Sequence, residues 1–406
     1  MLLNALIIIV IAAYLLETLL DVLNQSTARN PLDPKISNLY DAKERERSIE
    51  YSAVKTRFAF LTSSFSTAIM ILALGNGWFA IVDKWVRERF DNQIVISLAF
   101  IAVLSIISWW INLPFQLYAI FGIEARYGFN KTTPKTFVMD AIKSAILMTV
   151  IGGAILTAVL WLYQELGSNF WIYAWVLVSG FSLIMFMFGT TLILPLFNKL
   201  KPLEAGELRQ EIEKYCASQG YSVGRLFVMD GSKRSTKANA FFSGLGRSKT
   251  IVLFDTLIEK LSTKEVMAVL AHEIGHYKLK HTLSMFIATN VQTFLTFALL
   301  GWLLQFDELS TALGAVQSSF HLSALTFFIL FTPLSLLLGL INNSWSRYCE
   351  YQADTYAKQT YYVEPMKSAL SKISTDSLAN LTPHPLYVAF NYTHPTLLQR
   401  INNLSK

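Results

Sequence analysis

The sequence predicts a mainly α-helical, polytopic membrane protein: seven long transmembrane helices and a soluble zinc-binding region with a small β-hairpin or sheet. Three observations predict it. Charged residues make up 15% of the 406-residue chain and hydrophobic ones 53%; soluble domains carry about 25% charged residues, so the deficit points to lipid as solvent. Seven stretches approach the roughly 20 apolar residues that a spanning helix needs. They run from Leu2 to Leu23, Phe58 to Val82, Ile94 to Ile120, Ala141 to Tyr163, Ile172 to Leu194, Leu283 to Leu304, and Ala324 to Ile341. Finally, the longest polar stretch holds His272-Glu273-Ile274-Gly275-His276, an H-E-x-x-H pattern.

The first stretch has no basic lead-in, and Asp21-Val22-Leu23-Asn24-Gln25 follows it in place of a small-residue cleavage site. It reads as a retained span, not a signal peptide. Its following loop is basic, with Arg29, Lys35, Lys43, Arg45, Arg47, Lys55 and Arg57. The fourth loop (Gln164 to Trp171) and the sixth (Gln305 to Ser323) contain no Lys or Arg. Basic loops stay in the cytosol, so the N-terminus faces outward and the fifth loop and C-terminal tail face inward. Lys84, Arg87 and Arg89 in the second loop weaken this contrast without reversing it. The net charge of +6 follows from these loops; no motif points to nucleic acid, so the expected partner is the lipid bilayer. Cys216 and Cys349 provide neither a disulfide framework nor a cysteine zinc pattern.

Four regions are expected: residues 1–196 with spans one to five, 197–282 as the cytosolic zinc region, 283–341 with spans six and seven, and 342–406 as a C-terminal region. Within the first, Asn30-Pro31-Leu32-Asp33-Pro34 is turn chemistry and Tyr40 to Thr56 an amphipathic connector helix. The stretch from Ile123 to Pro134 reads as a turn followed by a capped helix start. Leu203 to Gln219 looks helical, and Leu226–Asp230, Lys237–Phe242 and Thr250–Phe254 read as strands. Ser243-Gly244-Leu245-Gly246-Arg247 supplies hairpin chemistry between the last two. Such a strand has a free edge that can hold a peptide extended by main-chain hydrogen bonds.

The H-E-x-x-H reads as a helix. Ser262 with Glu265 forms a capping box, and Val266, Val269, Leu270 and Ile274 form an apolar stripe. Residues four apart share a helical face, so His272 and His276 can ligate one Zn²⁺ with Glu273 beside them as a base. A third ligand is needed. One arrangement places Gly three and His six residues after the second histidine; Leu279 and Thr282 stand there, which excludes it. His281 misses by one position and reads as a surface or interfacial histidine. The other arrangement uses a carboxylate on a later helix. Glu350 and Asp354 are four apart just beyond the seventh span. Glu350 can ligate, and Asp354 can accept the distal N–H of a ligand histidine. His394 can stabilise an oxyanion and Arg400 can position acidic residues. His321 and His384 read as structural. A transporter or channel with a structural metal site is the alternative, but such spans carry mid-membrane ionisable pairs, and these hold few charges.

Together these motifs resemble the integral-membrane zinc metalloproteases of the CAAX prenyl protease type I family, of the gluzincin class. The resemblance rests on Gly128-Phe129-Asn130-Lys131-Thr132-Thr133-Pro134, Pro195-Leu196-Phe197-Asn198 and Asp230-Gly231-Ser232-Lys233-Arg234-Ser235. It continues through Asn239-Ala240-Phe241, Val252-Leu253-Phe254-Asp255-Thr256-Leu257, the H-E-x-x-H, Glu350 with Asp354, and Thr393-His394-Pro395. It implies seven helices enclosing a water-filled chamber, zinc on His272, His276 and Glu350, Glu273 as base, and Asn239 pairing the peptide. His394 and Arg400 fall where the family carries its C-terminal His and Arg. The implied substrate is a peptide or protein, prenylated at a C-a-a-X end. Compact loops suggest a bacterial member in the inner membrane, acting on damaged membrane proteins; a eukaryotic member belongs in the endoplasmic reticulum.

Overall fold

In lipid a backbone can satisfy its polar groups only within a helix or a closed sheet, and the apolar runs of this chain accordingly form long helices. The computed structural model describes residues 1–220, 225–243 and 250–406. The first half contains α1 (Leu2–Ser26), α2 (Ala42–Gly75), α3 (Trp78–Arg87) and α4 (Gln93–Leu117), which a π-helical turn extends to Glu124. Then come α5 (Pro134–Leu147), a second π-helical turn, α6 (Gly153–Leu166), α7 (Phe170–Leu192) and the single turn α8 (Leu194–Phe197). The soluble region follows, with β1 (Leu200–Pro202), α9 (Glu207–Ser218), β2 (Arg225–Met229), β3 (Ala240–Ser243), β4 (Thr250–Phe254), α10 (Asp255–Lys260) and α11 (Thr263–Lys278). The chain re-enters the bundle as α12 (His281–Leu303), turns through α13 (Glu308–Thr311) and leaves as α14 (Phe320–Thr360). It ends with α15 (Val363–Asp376), α16 (Pro385–Asn391) and α17 (Leu397–Ser405).

Among the described residues, six stretches are long and apolar enough to cross a membrane. One of them, Pro134–Phe197, holds two crossings: the chain reverses at Gly167, whose φ of 53° suits glycine, and α6 packs against α7. The main helix contacts run α1–α2, α2–α3, α3–α4, α4–α6, α6–α7, α7–α12, α12–α14 and α14–α1, which closes a ring. Only 6–17% of the most apolar window of each span is buried. Helices that stand around an interior, touching mainly their neighbours, have this burial. Polar pairs such as Tyr14 with Ser64, Gln25 with Ser52 and Thr56, and Asn342 with Gln292 belong to the same ring.

Three span expectations change. Asn76-Gly77 interrupts the second stretch, with Gly77 in the left-handed region at φ 65°, so α2 stops at Gly75 and Trp78 starts a separate helix. The Tyr40–Thr56 connector is no separate element: Asp41 caps a 34-residue helix that continues into the span. The seventh span likewise continues to Thr360 as a 41-residue helix, about 60 Å long and twice the hydrocarbon thickness.

One end of the ring is closed by apolar packing of Phe79, Phe100, Leu160, Phe170, Phe320 and Leu322. Here His321 is paired after all. Its Nε2 lies 2.7 Å from Asp83 Oδ1 and its Nδ1 3.0 Å from Ser97 Oγ, joining α3, α4 and α14. The opposite end carries the four-stranded sheet, ordered β1-β2-β4-β3, with β2 parallel to β4 and the other pairs antiparallel. Central β4 buries Ile251, Val252 and Leu253 in succession, as a strand covered on both faces does. The expected strands therefore form, while four of the five expected turn residues, 244–247, lie outside the described residues. Gly128, at φ 83°, turns the third loop so that it clamps the segment before β3: Thr236 donates to Phe129 O, and Lys237 pairs with Glu124.

The soluble region is also held from below α11. Ser262 and Glu265 form the full capping box, and Lys372 and Ser368 of α15 donate to the same carboxylate. Burial raises the Glu265 carboxyl, but the bonds from Lys372, Ser368 and Ser262 outweigh it and hold it down to about 2. A depressed folded value stabilises fully above the unfolded 4.5 and is lost as pH falls through the folded one. The gap corresponds to about 3 kcal/mol. In denaturant unfolding of the detergent-solubilised protein, the parent should exceed Glu265→Gln by about that amount at pH 6. The difference should close between about pH 4.5 and pH 2; a difference that ignores pH would refute this role.

Candidate active site

The capping box sets the start of α11 and hence the angular position of His272, Glu273 and His276. Val266, Leu270 and Ile274 of the apolar stripe are buried in the soluble core. Gly275 lies on the side facing α14. A Cβ there would stand 3.2 Å from the Ala353 Cα and 3.1 Å from the Tyr356 ring. Glycine thus permits the close approach that brings Glu350 of α14 against the two histidines of α11.

His272 Nε2 and His276 Nε2 are 3.1 Å apart. Glu350 Oε2 lies 3.3 Å from the first and Oε1 lies 3.1 Å from the second. Two imidazole lone pairs and a carboxylate oxygen therefore point at one position. Glu350 Oε2 is buried and accepts no hydrogen bond, a costly state for a charged oxygen unless a cation shares the site. Two histidines and one carboxylate are the donor set of a catalytic zinc site, which keeps one coordination position open. The residues present fit a single metal ion.

Asp354 orients the first histidine. Its Oδ1 lies 2.9 Å from His272 Nδ1, so that nitrogen carries the proton and Nε2 keeps its lone pair. Arg400 of α17 grips the same carboxylate at 2.9 Å through Nε and 2.6 Å through Nη2. The arginine also reaches 3.4 Å from Glu350 Oε2. His394 approaches from the loop before α17, with Nε2 3.3 Å from Glu350 Oε1 and most of its ring accessible. A cleft of about 330 Å³ opens beside it, lined in part by Asn380, Tyr392 and Thr393. Burial pushes the Glu273 carboxyl up, against the pull of the two neighbouring imidazoles.

Seven of the eight residues singled out in the sequence thus lie on or directly beside one cluster. Asn239 stands apart from the direct contacts. Its carbonyl accepts from Phe254 N and its side chain accepts from Ala240 N, at the start of the edge strand β3, which packs on α11. Of its two expected places His281 takes the interfacial one: it is buried between helices, not on the surface, with Nδ1 3.1 Å from His276 Nδ1. The helix α11 ends at Lys278, and Lys280, left-handed at φ 58°, swings the next residue back. No spacing rule announces such a return, and Gln352, which meets His281 on its far side, was invisible for the same reason.

Comparison with known proteins identifies the family. Residues 21–199 match a model of the CAAX prenyl protease N-terminal region, described as five membrane helices, and residues 202–406 match the model of peptidase family M48. A CAAX prenyl protease 1 homolog of Oryza sativa subsp. japonica is 35% identical over 99% of this chain and 97% of its own length. CAAX prenyl protease 1 of Saccharomyces cerevisiae is 32% identical over 94% of this chain and 90% of its own. The crystal structure of S. mikatae Ste24p superposes with a TM-score of 0.95 at 32% identity, covering 100% of this chain and 99% of that one. A transporter or channel is not what these relatives are. The chain belongs to peptidase family M48, in its CAAX prenyl protease group, and is a multi-pass membrane zinc metalloprotease.

Proposed function

We propose that this chain is an endopeptidase holding one Zn²⁺ on His272, His276 and Glu350, with Glu273 as its base. The observation that carries the reading is the convergence of three ligand atoms within 4.8 Å of one another, beside a glutamate whose carboxyl is raised. Bound zinc supplies Lewis acidity, lowering the pKa of a water towards neutrality and polarising the scissile carbonyl. Glu273 takes the proton of the attacking water and delivers it to the leaving amine. His394, on the open side of the cluster, donates to the oxyanion of the tetrahedral intermediate. Asp354 holds His272 in its ligating tautomer, and Arg400 holds Asp354. The edge strand that begins beyond Asn239 pairs with the substrate backbone, so the peptide lies extended across α11.

The relatives are named for cleavage at C-a-a-X ends, which favours removal of a C-terminal tripeptide from a prenylated protein. The ring of helices offers the apolar route that a lipid chain needs. The compact loops favour a second reading, clearance of damaged membrane proteins in a bacterial inner membrane; a eukaryotic source would place the chain in the endoplasmic reticulum. In either membrane the basic odd-numbered loops favour a zinc region on the cytosolic side.

Two measurements test these roles. Glu273→Gln should keep its zinc and lose about 10²- to 10⁴-fold in kcat for peptide hydrolysis; His394→Ala should lose about 10²- to 10³-fold. Full activity in the first variant would end the base assignment. The second measurement incubates the purified protein with a farnesylated C-a-a-X peptide and its unprenylated twin, followed by mass spectrometry. The farnesylated peptide should lose its last three residues with kcat/KM at least about tenfold higher, roughly the worth of two buried methylenes. Equal cleavage of the twins would remove prenyl recognition and leave the quality-control reading.

A further inference from the structure

We infer that His281 is a positioning residue for the metal site: it accepts the His276 Nδ1 proton and so keeps the His276 Nε2 lone pair free for the ion. The inference rests on the ligand set of the proposed function and extends it outward from His276.

The two ligand histidines have different supports. Asp354, an acceptor, settles the tautomer of His272. His276 meets another imidazole, with the two Nδ1 atoms 3.1 Å apart and the rings at 74°. One of these nitrogens donates and the other accepts. If His281 donated, the His276 proton would sit on Nε2, between His272 Nε2 and Glu350 Oε1, and no lone pair would face the ion. With Nδ1 of His276 donating, His281 must carry its own proton on Nε2. That nitrogen is 2.9 Å from Gln352 Oε1, an acceptor, and the Gln352 amide nitrogen in turn donates to the Tyr348 hydroxyl at 3.0 Å. Every member of the chain His276, His281, Gln352, Tyr348 is then satisfied in one direction.

The geometry also explains why the support is built this way. Tyr348, Glu350 and Gln352 sit on the same helix, α14. The helix that contributes the carboxylate ligand therefore contributes the acceptor that orients the opposite histidine. His281 is the first residue of α12 and only 3% exposed, so the chain of hydrogen bonds fastens the metal site to the foot of the bundle. A ring of the same size without an acceptor would fill the space but leave the tautomer unset.

That contrast gives the test. Zinc affinity is measured on the full-length protein in detergent by competition with a chelator, with the melting temperature of the metal-free protein recorded for each variant. His281→Leu keeps the volume and removes the acceptor; it should bind zinc about 10- to 100-fold more weakly. His281→Asn is smaller but can place an oxygen near the lost Nδ1, and should recover most of that affinity. A filler role predicts the reverse order, with the leucine variant holding zinc as well as the parent and the asparagine variant worse; that order overturns the inference. Should His281→Leu fail to fold, Gln352→Leu, which removes the acceptor for His281, must still weaken zinc binding several-fold, and unchanged affinity there overturns it too. A parent protein that binds no zinc would instead overturn the proposed ligand set, so the two failures are told apart.

Discussion

The close approach of α11 to α14 is the constraint on which the rest of this structure depends. Gly275 lets the Ala353 backbone approach so closely that any added Cβ would push it back by a few tenths of an ångström. Two helices in such contact hold their facing side chains in one register, and here those side chains are His272, His276 and Glu350. The ligands are far apart in sequence, yet a single contact between rigid elements sets their spacing. Rigid helices do this more precisely than loops, and a displacement of about 1 Å is enough to cost a catalytic arrangement much of its rate.

Continuity between membrane and soluble parts follows from the same helix. α14 begins among the apolar packing at the closed end of the ring and finishes beside the zinc region. Its far end is fixed by Asp83 and Ser97 through His321, and its near end by Arg400 through Asp354. Glu350 thus sits on a rod about 60 Å long that is anchored at both ends. α2 works in parallel on the other side: its turns nearest the soluble region hold Tyr51, which bonds Glu124 at 2.6 Å, and Lys237 reaches the same carboxylate just before the edge strand. The spans therefore position the strand as well as the His-His-Glu cluster, and the ring of helices and the soluble region are one construction.

Local patterns carried far in the sequence. Four-residue spacings pointed to both halves of the His-His-Glu cluster, and the Ser262–Glu265 capping box located the helix that bears the histidines. Apolar runs of sufficient length revealed the spans, because lipid leaves the backbone no other choice. What escaped was anything that depends on which helices meet. Asp83 and His321 are 238 positions apart, and neither residue announces the other. The parallel pairing of β2 with β4 needs a crossover that no alternation pattern encodes. Helix limits failed where hydropathy ignored backbone chemistry: Asn76-Gly77 is apolar enough in context to pass for span, yet its left-handed turn ends the helix.

The charges of the cluster explain why Arg400 is buried there. Glu273, Glu350 and Asp354 bring three negative charges into a region largely shielded from water. A divalent ion held there as proposed would offset two of them and Arg400 the third, leaving the site neutral overall. Burying an unpaired charge costs several kcal/mol, and any arrangement with one fewer positive group would have to protonate a carboxylate instead. Asp354 is held by Arg400 through both oxygens, which leaves Glu350 and Glu273 free for the ligand and base roles proposed for them. Arginine serves this position better than lysine, since its planar fork holds both carboxylate oxygens and never gives up its charge. Charge balance and tautomer control therefore converge on the same residues, and one geometry satisfies both.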